Sequence, residues 1–127
     1  MQRKRISTGS SFEELAGYCR AIVDGEWVFV GGTTGYDYAT MSISDDVGEQ
    51  VAQTFRNIEW ALGEAGADKN DVVQIRVYVA DRDDFPTIAP LIGDWCRDIR
   101  PVNTTVVTPL VAPEMKVEIE VTAKRQV

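Results

Sequence analysis

The sequence contains no histidine. That absence removes imidazole zinc ligands, Ser-His-Asp and Cys-His nucleophilic catalysis, and imidazole proton shuttles. Proton transfer then falls to carboxylates, Tyr, Lys, Cys or held water. Cysteine is scarce: Cys19 and Cys96 are far apart, form no metal spacing, and read as reduced, mostly buried thiols of an intracellular protein. No run approaches the ~18 apolar residues of a bilayer span. The basic lead Met1-Gln2-Arg3-Lys4-Arg5 is not followed by an apolar stretch of signal-peptide length. A cytoplasmic location without a membrane partner is expected. Positive charge is in deficit, with 13 Lys and Arg against 20 Asp and Glu and a net charge of -7. Such a surface repels phosphate backbones, so nucleic acid is not an expected partner.

What is present suits a folded chain. The 127 residues are 44% hydrophobic and 26% charged, enough to bury a core without staples. No repeat, low-complexity tract or linker interrupts them, so residues 1–127 are expected to form a single domain.

The clearest local signal runs from Cys19 to Gly31. Two strand-like runs flank Asp24-Gly25, the signature of a hairpin whose two turn residues both take positive φ. Gly31-Gly32 ends the second strand and permits close backbone approach. Residues 32–44 read as a long loop. After a cap at Asp45 or Asp46, Val47, Val51, Phe55, Ile58, Leu62 and Ala65 recur at helical steps, stopped by Gly66. From Asp71 to Ala80, Val73, Ile75, Val77 and Val79 alternate with Gln74, Arg76 and Tyr78. A second helix opens at Asp83-Asp84-Phe85-Pro86, with Ile88, Leu91, Ile92, Trp95 and Ile99 as its stripe. Pro90 there predicts a kink or a later start. Strands over Val102–Thr108 and Met115–Ala123 finish the chain.

This order predicts an α+β fold: a mixed, mainly antiparallel sheet with two helices on one face. Strand parity places Arg20, Arg76, Tyr78, Glu118 and Glu120 on the other face, which is either solvated or an assembly surface with a polar cleft. Glu118 is the best candidate base, held mid-strand between β-branched residues where desolvation raises a carboxyl pKa, with Glu120 on the same face. Gly31-Gly32-Thr33-Thr34-Gly35 lacks the ending of a nucleotide loop, though its N–H groups can hold a carboxylate or carbonyl oxygen. Thr104 and Thr105 read as strand formers, Cys19 as facing the helices, and Trp27, Trp60 and Trp95 as packing residues.

In order along the chain, Gly17-Tyr18, Phe29-Val30-Gly31-Gly32-Thr33, Val72 to Val79 with Asp83-Asp84-Phe85, Arg100-Pro101-Val102-Asn103-Thr104-Thr105, and Val117-Glu118-Ile119-Glu120-Val121 carry a resemblance. The chain resembles the Rid family of reactive-intermediate deaminases, also called YjgF or endoribonuclease L-PSP. The resemblance implies a chorismate-mutase-like α+β domain, a homotrimer with small-molecule clefts between subunits, and hydrolysis of 2-imino acids to 2-keto acids and ammonia without cofactor or metal. Carried over, Glu118 positions the attacking water, and Tyr18, Gly31, Gly32, Thr33, Asn103 and Thr105 line the cleft. Asn103 stands where the family has a carboxylate-binding Arg, and Thr105 where it has Cys. An Asn supplies neither charge nor a two-pronged guanidinium, so a neutral acceptor is the expected ligand of Asn103. Arg20, Arg76 or Arg100 is a candidate replacement, though each also suits a salt bridge, for example Arg76 with Glu120. A non-catalytic metabolite-binding trimer is the alternative; an endoribonuclease fits the charge poorly.

Overall fold

A computed structural model describes residues 3–126. Its main sheet has the order β1-β2-β3-β8-β6-β7, with β1 Lys4–Ile6, β2 Ala21–Asp24, β3 Trp27–Thr33, β6 Val72–Val79, β7 Val102–Val107 and β8 Val117–Lys124. All neighbours are antiparallel except β6 and β7, which run parallel and are joined through helix α3, Phe85–Cys96. Helix α2, Val47–Glu64, starts at Asp46, whose side chain accepts from the Glu49 N–H at 2.9 Å. It ends before Gly66, which takes the expected left-handed φ of 74°.

The apolar stripes of α2 and α3 cover one sheet face. Ile58, Leu62 and Ile88 are fully buried there against Val28, Ile75, Val77, Val117 and Ile119. Phe55 and Trp95 stack across the helices at 4.4 Å with 12° between planes. Removing a side chain from this layer leaves a cavity and costs about 2–5 kcal/mol. The other face carries Phe29, Arg76, Tyr78, Glu118 and Glu120, which strand register places side by side.

Several local expectations change. The hairpin loop is Gly25-Glu26, because Asp24 pairs with Trp27. Gly25 has φ 61° and Glu26 does not share it, the pattern of a type II′ turn in place of two positive-φ residues. A bulge between Val72 and Gln74 turns Val73 out of the core stripe to solvent, and Val72 takes its buried place. Pro90 sits inside an unbroken α3, since its missing N–H leaves only the carbonyl of Pro86, in the first turn, without its helix bond. Residues 32–44 hold two short paired strands, β4 Tyr36–Asp37 and β5 Ser42–Ile43. Trp27 and Trp60 are exposed at the surface, so of the three Trp only Trp95 packs inside. Helix α1, Ser11–Ala16, had no counterpart in the periodicity: six residues are too few to show a stripe.

Candidate functional site

Strand β8 presents two carboxylates on the face opposite α2 and α3, and they have different surroundings. Glu120 is engaged: the Tyr78 hydroxyl donates to it at 2.5 Å and Arg76 lies 3.6 Å away. Glu118 has neither a hydrogen-bond donor nor an ion pair among the described residues. Burial pushes the Glu118 carboxyl up, nearby Arg20 pulls it down, and Glu120 pushes it up again, with a net rise.

The backbone opposite Glu118 is shaped by a bulge in β3, where the register passes from Val30–Val121 to Thr33–Ile119. The extra residue brings Gly32 against the carboxylate. A Cβ there would overlap Glu118 Oε2 and lie 3.0 Å from its Cδ. From behind, α2 holds this loop: the Asn57 side chain donates to the carbonyls of Thr34 and Tyr36 at 3.0 and 2.8 Å.

Arg20, just before β2, lies on the same face but is 1% exposed. Its Nη1 donates to the Gly32 carbonyl at 2.5 Å and to Thr33 Oγ1 at 3.1 Å. Its guanidinium lies 5.7 Å from the Tyr18 ring centre and 5.0 Å from that of Tyr38, both cation–π distances. Glu13 of α1 lies 3.7 Å from Nε, and both side chains are buried. Desolvation raises the Glu13 carboxyl, but donors from Ser7, Thr8 and Ser10 outweigh it and hold the group below its ordinary value. Sequence reasoning weighed Arg20 but missed Glu13. The signal was Ser10-Ser11-Phe12-Glu13, a helix-start pattern, followed by Gly17 with φ 74°.

Tyr18, Arg20, Gly32, Tyr38, Met115 and Glu118 surround a cavity of about 500 Å³, rimmed by Leu15 and Val111. A neighbouring hollow of about 790 Å³ shares Tyr18 and Arg20 and adds Cys19, Phe29 and Gly31. The structure therefore brings Tyr18, Gly31, Gly32 and Glu118 into one region. Thr33 is fully buried below it, and its hydroxyl donates to the Gly31 carbonyl at 2.8 Å. Cys19, expected to face the helices, is half-buried and lines the larger hollow.

Asn103 and Thr105 lie elsewhere. Their partners across the β6–β7 ladder are Ile75 and Val77, so they share the helix-covered face. They line a separate pocket of about 250 Å³ with Phe85, Ala89 and Cys96, and the Thr105 hydroxyl donates to Asn103 Oδ1 at 2.8 Å. Of the candidate arginines, Arg20 alone borders the Glu118 cavity, while Arg76 takes the partner expected for it, Glu120. Among the described residues no three His, Cys, Asp or Glu side chains converge as a metal site, and no helix is long and apolar enough to cross a membrane.

Fold and site together define a small α+β domain with a mixed sheet and a carboxylate on the wall of a cleft of metabolite size. The family described as Endoribonuclease L-PSP matches residues 8–125. The chain belongs to that family, also called YjgF/YER057c/UK114. The crystal structure of Rv2704 from Mycobacterium tuberculosis, a member, is 40% identical, covers 97% of this chain and 99% of its own, and superposes with a TM-score of 0.88. A RutC family protein of Pyrococcus abyssi is 29% identical over 99% of this chain and its own full length. A Dermatophagoides farinae protein named 2-iminobutanoate/2-iminopropanoate deaminase is 26% identical over 94% of this chain and 95% of its own.

Proposed function

We propose that this chain is a small-molecule hydrolase that converts reactive imines, and enamines after tautomerisation, to carbonyl compounds and ammonia. The observation that carries the reading is Glu118: a desolvated carboxylate without a hydrogen-bond or ion-pair partner among the described residues, facing a cavity, with its pKa raised above the ordinary carboxylate value by burial. A water held on Glu118 loses a proton to it as the water oxygen bonds to the imine carbon. The C=N electron pair moves to nitrogen, which takes up the proton that Glu118 received. In the carbinolamine the hydroxyl proton passes to nitrogen by way of Glu118 as the C–N bond breaks, and ammonia departs from the new carbonyl. The relatives named as deaminases support this chemistry, and no step needs imidazole.

Asn103 and Glu118 occupy opposite faces of one chain, so they can share a cleft only between copies. The reading therefore includes a homotrimer in which β7 of one copy covers the open sheet face of the next. Exposed Trp27 and Phe29, stacked at 6.5 Å, support such a cover. Replacing Arg by Asn103 removes a charge-assisted pair worth roughly 1.5–3 kcal/mol. Simple 2-imino acids are accordingly poor substrates in this reading.

The test is ammonia release from freshly generated imines, with and without a carboxylate, by the chain and its Glu118→Gln variant. Turnover lost in the variant supports the assignment. Turnover unchanged by that substitution, or absent with every imine, removes it; ligand-induced stabilisation without turnover would instead mark a metabolite-binding trimer.

A further inference from the structure

We propose that Arg20 sets substrate choice, admitting an imine or enamine that bears an uncharged carbonyl oxygen, such as an amide or ring carbonyl, and disfavouring a carboxylate. The proposal rests on the cavity beside Glu118 being the reactive one.

Arg20 is placed like a ligand-binding group but is already flanked by negative charge. Nη1 is committed to the Gly32 carbonyl and Thr33 Oγ1. Nε is buried and donates to nothing among the described residues. Glu13, at 3.7 Å, lies beyond hydrogen-bond reach of that Nε, and its oxygens are occupied by Ser7, Thr8 and Ser10. Across Gly32 stands Glu118. One guanidinium thus sits between two carboxylates, Glu118 on the cavity wall and buried Glu13 behind Arg20, so the surroundings of the cavity carry an excess negative charge whenever both are ionised.

A carboxylate ligand would bring a third negative group close to Glu118 and Glu13. A carbonyl oxygen accepts from the guanidinium without that repulsion, and discrimination by repulsion is a common device of specific sites. The rim adds a second criterion: Leu15 and Val111 are 89% and 90% exposed at the mouth of this cavity. They suit an apolar substituent on the far side of the substrate from the carbonyl.

The test is equilibrium binding of two non-reacting probes of equal size, pyruvamide and pyruvate, to the full chain by calorimetry or NMR titration. Pyruvamide is expected to bind roughly tenfold tighter, the scale of one like-charge contact in a partly buried site. Glu118→Gln removes one negative neighbour and is expected to strengthen pyruvate selectively, closing most of that gap. Arg20→Gln is expected to abolish pyruvamide binding; should that variant not fold, the Glu118→Gln comparison decides. Pyruvate binding as tightly as pyruvamide, neither probe binding, or a ratio unmoved by Glu118→Gln would overturn the proposal. Because these measurements need no turnover, their failure is distinct from a failed ammonia assay.

Discussion

The Glu118 carboxylate occupies the space that a side chain at residue 32 would need, so Gly32 and Glu118 are fitted to each other across the bulge of β3. The clashing group is the far end of a movable side chain, and it can swing away. Gly32→Ala is therefore expected to keep the fold, with a stability change of about 1 kcal/mol or less, while imine turnover falls at least roughly tenfold. Gly35 offers the contrast. A Cβ there would lie 2.7 Å from Gln50 Cα, which is backbone and cannot move aside. Gly35→Ala is expected to destabilise by about 1–3 kcal/mol in urea unfolding.

Acid should switch the site off earlier than an ordinary carboxylate would. Glu118 must be ionised to accept a proton, and its pKa lies above the ordinary 4.5 through burial, opposed by Arg20 and assisted by Glu120. The acidic limb of kcat/KM is expected above that value. Stability carries the opposite sign. The folded chain holds this proton more tightly than the unfolded chain, so the Glu118 contribution is present at low pH and fades as pH rises through the raised pKa. Glu118→Gln should flatten that part of the stability–pH curve, read by denaturant midpoints across the acidic range.

Glu13 keeps Arg20 from being a lone buried cation. Glu13→Ala removes the nearest negative charge and frees the hydroxyls of Ser7, Thr8 and Ser10. Breaking a buried pair from one side costs about 3–5 kcal/mol. A loss of that size, with Glu13→Gln clearly milder, is expected in chemical denaturation. A change below 1 kcal/mol would show that Arg20 is stabilised by other means.

Gln50 is fully buried and ties three segments together. Its Nε2 donates to the carbonyls of Ser44 and Glu114 at 2.7 and 2.9 Å, and its Oε1 accepts from the Lys116 N–H at 2.9 Å. Gln50→Ala leaves all three backbone groups without partners, which costs about 3 kcal/mol or more. Loosening should appear as faster amide exchange at Lys116, next to the strand that carries Glu118.

The elements that the sequence displayed clearly are those with a long period. The alternation of Val117, Ile119 and Val121 and the stripe from Val51 to Leu62 each repeat often enough to be read from one chain. Features made by distant contacts were not legible. Parity placed Arg20 on the correct face, yet its burial depends on α1 and on the loop around Tyr38. Val73 seemed a core residue because a one-residue bulge leaves no mark in an apolar run. The separation of Asn103 from Glu118 follows from the parallel register of β7 on β6, which no local pattern encodes.

The main sheet ends in β1 and β7, and the two margins differ. β1 is three residues long and exposes Lys4 and Arg5, while Pro101 and Pro109 stand just outside β7. Charge and proline at the borders discourage lateral addition of further chains. The β7 margin still exposes Val102, Val106 and Val107, so a strand that added there would be confined to the six residues of β7, which lie between the two prolines.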